Sequence, residues 1–368
     1  MKHTTSAQFA LLAVLGAAAT TASAQSSVAL YGLIDATFMV GHGSTANKTQ
    51  LGNSGNTTSR LGFRGTEDLG GGLKAGFVLE MGLNNDDGTG ATTNPNNQGT
   101  YRPATGRFTA NASGGGGTTF NRRSMLTLSN TMGELRLGRD YTPHYWQYVF
   151  FDPFTMNGVG ASQIYAGSLG GPTLVRASNS IGYVLPGNLG GLYGQAQVYL
   201  GENTGTEAAP IGKSDGNGVS LRLGWANGPW NMAVAMGRTQ FALPGDITTS
   251  NAGLSYDFGR FKLSAMVNRD KVGSAAKSSG YLVGVSVPTA SGELRATYSG
   301  SKAKVNGTSP EADKVSLGYV HNLSKRTAVY GTVAYLSNKG GATFGLNGAT
   351  TAANTSSKGL DIGIRHAF

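Results

Sequence analysis

The sequence predicts an all-β fold, a 16-stranded antiparallel transmembrane β-barrel, and three observations carry the prediction. Sixteen short runs alternate apolar and polar residues with a period of two. The connections between them alternate in length, short then long. Beyond the first 24 residues, no apolar run reaches the ~18 residues that a membrane-crossing helix needs.

Composition narrows the alternatives. Of 368 residues, 58 are glycine, about twice the usual share, yet there is no Gly-X-Y period. Charged residues make up 13% and mean hydropathy is −0.17, while Val, Leu, Tyr and Phe recur throughout, so the chain does not read as disordered. Cysteine is absent, which removes disulfides, thiolate metal sites and a cysteine nucleophile. The five histidines, His3, His42, His144, His321 and His366, form no metal-ligand spacing. No metal and no cofactor is expected.

The elements follow in order. Residues 1–24 are expected to be a cleaved secretory signal peptide, with Met1 and Lys2 as the charged start, an apolar run from Phe9 to Ala19, and Ala22-Ser23-Ala24 as the small-x-small cleavage site. Residues 25–368 then form one barrel domain. In its first run, 28–40, Val28, Leu30, Ile34, Ala36 and Phe38 share one face, and Tyr31, Asp35 and Thr37 the other. Similar runs occupy 73–82, 191–200, 218–226, 230–239, 250–257, 260–269, 279–287, 293–301, 313–321, 326–337 and 358–368, with less regular ones at 59–66, 120–129, 134–140 and 177–185. Seven short connections, such as Glu67–Gly72 and Asp257–Gly259, are rich in Gly, Asn and Pro. Eight long polar loops separate them, at 41–58, 83–119, 141–176, 201–217, 240–249, 270–278, 302–312 and 338–357.

Sixteen amphipathic strands expose too many sheet edges unless the sheet closes. A barrel of that size leaves an aqueous interior, so its apolar face must be the outer, lipid-facing one. Tyr193, Tyr199, Trp225, Trp230, Tyr281, Tyr298, Tyr319, Tyr330 and Tyr335 fall near strand ends, as interfacial girdles require.

Four stretches carry a family resemblance: SSVALYGLIDATF at 26–38, SRLGFRGTEDLGGGLKAGFVLE at 59–80, GELRLGRDYTP at 133–143 and LDIGIRHAF at 360–368. Over nearly its whole length beyond the signal, the chain resembles the general porins of Gram-negative, beta-proteobacterial outer membranes. The resemblance implies a homotrimer in the cell outer membrane, short periplasmic turns and long external loops. It also implies a third loop folded into the lumen, and passive diffusion of ions and small hydrophilic solutes.

By that resemblance the pore loop is 141–176. It is aromatic, with Tyr141, Tyr145, Trp146, Tyr148, Phe150, Phe151 and Phe154, and carries Asp152 as its one carboxylate, with Asp140 at its base. The opposing wall is expected to be basic. Arg60 and Arg64 face inward if Leu61 and Phe63 face lipid, and Lys74 and Glu80 share the inner face of the next strand. Arg122 matches a family position, but Arg123 follows it directly, and two adjacent residues cannot both point inward on a regular strand. Arg136 and Arg139 differ in parity for the same reason, and Arg176 closes the loop. A permanently ionised guanidinium in a narrow, low-dielectric passage attracts anions. The expected site is therefore a basic wall of Arg60, Arg64, Lys74, Arg122 and Arg176 facing Tyr141, Tyr145 and Asp152, with anions preferred.

Other features carry little. Gly114–Gly117 lacks a phosphate-loop signature. Glu67-Asp68 is a carboxylate pair in a turn, more suited to turn formation than to acid/base work. A pI near 9.7 comes without a basic run, so no nucleic-acid partner is expected. No grouping of His, Ser and carboxylate indicates an enzyme. Phe368 resembles the aromatic terminus of outer-membrane barrels.

Overall fold

The computed structural model describes residues 27–111, 119–207 and 211–368. The expected signal peptide and the Gly114–Gly117 run lie outside the described residues. In chain order the strands are β1 (Ser27–His42), β2 (Lys48–Asn53), β3 (Arg60–Gly70), β4 (Leu73–Asn84), β5 (Thr89–Gly90), β6 (Gly99–Arg102), β7 (Arg107–Ala110), β8 (Arg123–Asn130), β9 (Gly133–Tyr141) and β10 (Arg176–Val184). There follow β11 (Leu192–Tyr199), β12 (Gly218–Asn227), β13 (Trp230–Thr239), β14 (Ile247–Asp257), β15 (Lys262–Val272), β16 (Ala276–Thr289), β17 (Gly292–Val305), β18 (Glu311–Asn322), β19 (Thr327–Lys339) and β20 (Ser356–Ala367). Sixteen of them, all but β2, β5, β6 and β7, form an antiparallel ring, which closes where β1 pairs with both β3 and β20. At the seam Gly32 and Phe368 exchange two backbone hydrogen bonds of 3.1 Å.

The period-two pattern has the predicted sense. On β13, Met232, Val234 and Met236 are exposed and Ala233, Ala235 and Gly237 buried; β15 and β16 repeat this. The exposed face is apolar and the buried face polar, the inverse of a water-soluble sheet. The tightest turn explains one glycine cluster: β3 and β4 are joined at Gly70-Gly71-Gly72, with φ of 84°, 61° and 80°, a left-handed run that side chains disfavour. Glu67 and Asp68, expected in this turn, lie on β3 instead.

Three expectations need correction. First, the expected girdle splits. Trp225, Trp230, Tyr281, Tyr298, Tyr319 and Tyr335 are exposed outward, whereas Tyr193, Tyr199 and Tyr330 share the inward parity of their strands and are wholly or partly covered. Second, the expected loops 270–278 and 302–312 shrink to 273–275 and 306–310, because β15–β18 run on past the apolar stretch that marked them. Third, the first loop is not simply a loop. β2 pairs with the upper half of β1 where β3 pairs with the lower half. β2 and β3 are thus two pieces of one wall strand, interrupted by residues 54–59, which turn inward.

The interior is filled by chain segments, not by a conventional core. Between β9 and β10 the chain forms α1 (Tyr145–Phe151), α2 (Gln163–Ala166) and a 3-10 turn (Gly171–Thr173). Tyr148, Phe151 and Ile164 of this segment pack on Ala233, Met266 and Leu282 of the wall. Burying each large ring removes roughly 1.5–3 kcal/mol of apolar exposure. The wall is built for the contact: an added Cβ on inward-facing Gly253 would sit 2.1 Å from the Phe151 ring, and one on Gly284 would sit 2.6 Å from Pro153. Above this, the β6–β7 hairpin crosses the long-loop mouth. Phe108 packs at 4.6 Å on Phe241, Arg107 donates to the Ala166 carbonyl at 2.6 Å, and the Pro103 carbonyl accepts from Asn306 at 2.8 Å.

Candidate functional site

The lumen narrows between the third loop and the wall of β1, β3, β4 and β8. A chamber of about 580 Å³ lies between them, with Arg60, Arg64, Glu80, Arg122 and Arg123 on the wall side and Tyr141, Tyr145 and Trp146 on the loop side. Alternation places the wall residues there. Arg60 and Arg64 fall opposite Gly82 and Val78, and Glu80 falls opposite Arg123, so all share the inner face.

Arg122 and Arg123 both reach the chamber, which regular strand parity forbids. The ladder begins only at Arg123. Arg122 precedes it on irregular backbone, its N–H donating to the Glu80 carbonyl at 3.0 Å, and its side chain swings inward too. Its Nε lies 2.7 Å from Glu80 Oε1 and its Nη2 donates to the Tyr141 hydroxyl at 2.5 Å. Arg60 Nε is 3.7 Å from the other Glu80 oxygen, which also accepts from the Tyr31 hydroxyl at 3.1 Å. Arg123 pairs with Asp140 at 2.9 Å. Arg136, left open by its parity, faces inward and holds Asp140 and Glu134 at 2.9 and 2.5 Å.

Arg64 differs from the rest. It is exposed, lies 5.3 Å from the Tyr31 ring, and among the described residues has no carboxylate partner within 4.0 Å. Two other expected residues sit elsewhere. Lys74 shares the inner face but is six residues below Glu80, about 20 Å along the strand, at the turn rim and outside the chamber. Arg176 stands behind Tyr141, its guanidinium 4.3 Å from the ring and donating to the hydroxyl at 2.7 Å. Tyr141 is thus held between two arginines and stacked at 5.5 Å on Tyr145.

Asp152 does not face the passage. It is 3% exposed and accepts from the Phe154 N–H at 2.8 Å and the Ser162 N–H at 3.0 Å, stapling the loop to itself. Burial raises its pKa against these bonds. The reason is local: a carboxylate at the end of α1 finds two backbone donors before it finds solvent.

Wall carboxylates play the same part for other backbone. Asp361 accepts from Val159 N–H at 2.7 Å. Asp270 accepts from Leu169 N–H at 2.9 Å and Ser168 Oγ at 2.7 Å. Asp35 accepts from Asn56 and Thr57 N–H at 2.9 and 2.7 Å, fixing the inward turn at 54–59. At the loop's start, His144 sits against Gly237, with Nδ1 2.8 Å from Ser220 Oγ, and burial lowers its pKa to about 4.

The sequence profile of Gram-negative porins matches residues 10–341. The chain belongs to the Gram-negative porin family. This porin is 37% identical to outer membrane porin protein 32 of Delftia acidovorans over 97% of this chain and 98% of that one. It superposes on the anion-selective porin from Comamonas acidovorans with TM-score 0.78 and 34% identity, covering 94% of this chain and 100% of that one. The trimer form of OmpT from Vibrio cholerae shares the fold alone, with TM-score 0.63, 15% identity and coverage of 93% and 99%. The porin is an outer-membrane channel, its long loops external and its short turns periplasmic.

Sequence reasoning missed part of the porin's cationic lining. Arg222 faces inward beneath α1, between the rings of Phe150 and Tyr193 at 4.5 and 4.7 Å. Arg295 donates to Asn56 of the inward turn at 3.0 Å. The signal was present: each arginine follows an outward leucine, Leu221 and Leu294, on its strand.

Proposed function

We propose that this outer-membrane porin prefers anions, with Arg60, Arg64, Arg122 and Arg123 as the basic side of the constriction, and that it works as a homotrimer exported by a signal peptide cleaved after Ala24. The observation that carries the preference is an asymmetry of commitment. Asp35, Asp152, Asp270 and Asp361 are each at most 3% exposed and occupied by backbone or hydroxyl donors. Glu80 and Asp140 are enclosed by arginines. Arg64 and the partly open faces of Arg60 and Arg123 are left for the passing ion. A guanidinium projecting into a narrow wet passage acts on an ion at higher effective strength than in bulk water. The name of the Comamonas relative supports the same sign, and the trimer form of the Vibrio protein supports the assembly.

Ion substitution tests the preference. In single-channel recordings, replacing chloride by a large organic anion should lower conductance more than replacing potassium by a large organic cation. The opposite ranking would remove the preference while leaving the channel. Electrophoresis with and without heating tests the trimer: one slow band that collapses to monomer on heating is expected, and a monomer in both lanes would exclude it.

A further inference from the structure

On the outward face near the external rim, four cations fall in one lateral row. The register pairs Arg238 with Thr248, Thr248 with Lys271, Lys271 with Lys277 and Lys277 with Lys304. The row beneath runs Met236, Ser250, Arg269, Ser279, Lys302, and the next runs Val234, Ala252, Val267, Tyr281, Gly300. Every cation named is exposed and alternates with a covered residue of opposite parity. Within two rows the outer wall changes from apolar to strongly basic.

This basic patch is poorly neutralised from within. Arg238 pairs with Asp246 at 2.5 Å and Lys302 with Glu311 at 2.9 Å. Among the described residues, no carboxylate lies within 4.0 Å of Arg269, Lys271, Lys277 or Lys304; neighbouring Asp270 points the other way, into the lumen. Lys271, Lys277 and Lys304 stand directly opposite one another on strands about 4.8 Å apart, an arrangement that repels. A depression of about 560 Å³ lies along these two rows, with Val219, Leu221 and Met236 toward β12 and Arg238, Arg269 and Lys271 beside them.

We propose that this patch binds the phosphorylated headgroup of a lipid of the outer leaflet, with an acyl chain along the apolar half of the depression. The row spans four strand spacings, about 19 Å, room for more than one phosphate. Phosphate oxygens accept charge-assisted hydrogen bonds from ammonium and guanidinium groups and relieve their repulsion. Thr248, Ser250 and Ser279 supply hydroxyls between the cations. A lipid is favoured over a free anion because the cations sit directly on the lipid-facing rows, above the exposed Tyr281–Tyr298 pair, 5.7 Å apart. The patch lies outside the lumen, so the site does not depend on the selectivity of the pore.

The test uses the intact porin in detergent with three probes: bis-phosphorylated lipid A, the same lipid with its phosphates removed, and inorganic phosphate. Wild type should bind the phosphorylated lipid at least tenfold more tightly than the dephosphorylated one, and millimolar inorganic phosphate should not displace it. The variant Lys271→Gln/Lys277→Gln/Lys304→Gln should lose at least tenfold in affinity. It should keep single-channel conductance and be no less heat-resistant than wild type without lipid. Lys277→Gln alone should lose about threefold, which keeps the test open if the triple variant folds poorly. Lys262→Gln/Lys325→Gln, at the periplasmic rim, should bind as wild type. Equal binding by the triple variant, equal binding of dephosphorylated lipid, or displacement by inorganic phosphate at equal concentration would each overturn the proposal.

Discussion

Glu80 shows how a lumenal charge can be present without acting on the passing ion. Arg122, Arg60 and Tyr31 surround it at 2.7, 3.7 and 3.1 Å, so its field is largely cancelled where it arises. Arg64 lies beside the Tyr31 ring and, among the described residues, has no carboxylate partner within 4.0 Å. Replacing Arg64 by Ala should therefore leave folding unchanged and weaken anion preference by roughly two- to fivefold, the effect of about 1 kcal/mol at contact distance in a wet passage. Permeability ratios of the two proteins measure this directly; an unaltered ratio would show that Arg64 does not set selectivity. Glu80→Gln should act in reverse, raising anion preference by freeing Arg122 and Arg60, at some cost in stability because Arg122 would be left buried without its carboxylate. A fall in anion preference would contradict that charge balance.

The third loop is the element on which the pore depends, and it is held by polar pins. Asp270→Ala leaves the Leu169 N–H without its acceptor, a loss of about 1–3 kcal/mol confined to the loop. Noisier single-channel currents and faster amide exchange near 168–170 are expected, with the barrel's heat resistance retained. An Asp270→Ala trace as quiet as that of wild type would show that Asp270 is dispensable as a pin. His144 adds a pH dependence. Its folded-state pKa of about 4 lies below the ordinary value of 6.5, so the neutral ring contributes stability above pH 6.5 that is lost as pH falls toward 4, of order 3 kcal/mol when complete. Exchange at 142–147 should accelerate over that window in wild type and stay flat in His144→Asn; equal acid sensitivity in both would locate the effect elsewhere. Little of this loop seat was legible in the sequence. The aromatic run at 141–154 announces a packed loop, but Gly237, Gly253 and Gly284 read as generic strand glycines until the ring or proline against each is seen. Asp152 read as a pore charge because sequence does not reveal which backbone N–H groups a carboxylate will meet.

At the scale of the whole barrel, alternation carried most of the information. Strand number, closure, the apolar outer face and the inward set of Arg60, Arg64 and Glu80 all follow from a period of two over sixteen runs. Register did not follow, and neither did departures from it. Arg122 reaches the chamber because the ladder starts one residue later, and residues 54–59 fold inward because Asp35 accepts two of their N–H groups. The β6–β7 hairpin across the mouth left no periodic signal, its strands being four residues each. Ring closure joins Gly32 to Phe368, whose ring lies where a Cβ on Gly32 would fall, 2.3 Å away. Gly32→Val should therefore lower the yield of heat-resistant barrel in a folding assay; an unchanged yield would mean the seam tolerates the displaced ring. The reversal potential of the purified channel in a planar bilayer under a potassium chloride gradient reads the sign of its ion preference. A potential of the sign set by chloride diffusion is expected, moving toward zero in Arg64→Ala, whereas a wild-type potential of the sign set by potassium would contradict an anion-preferring constriction.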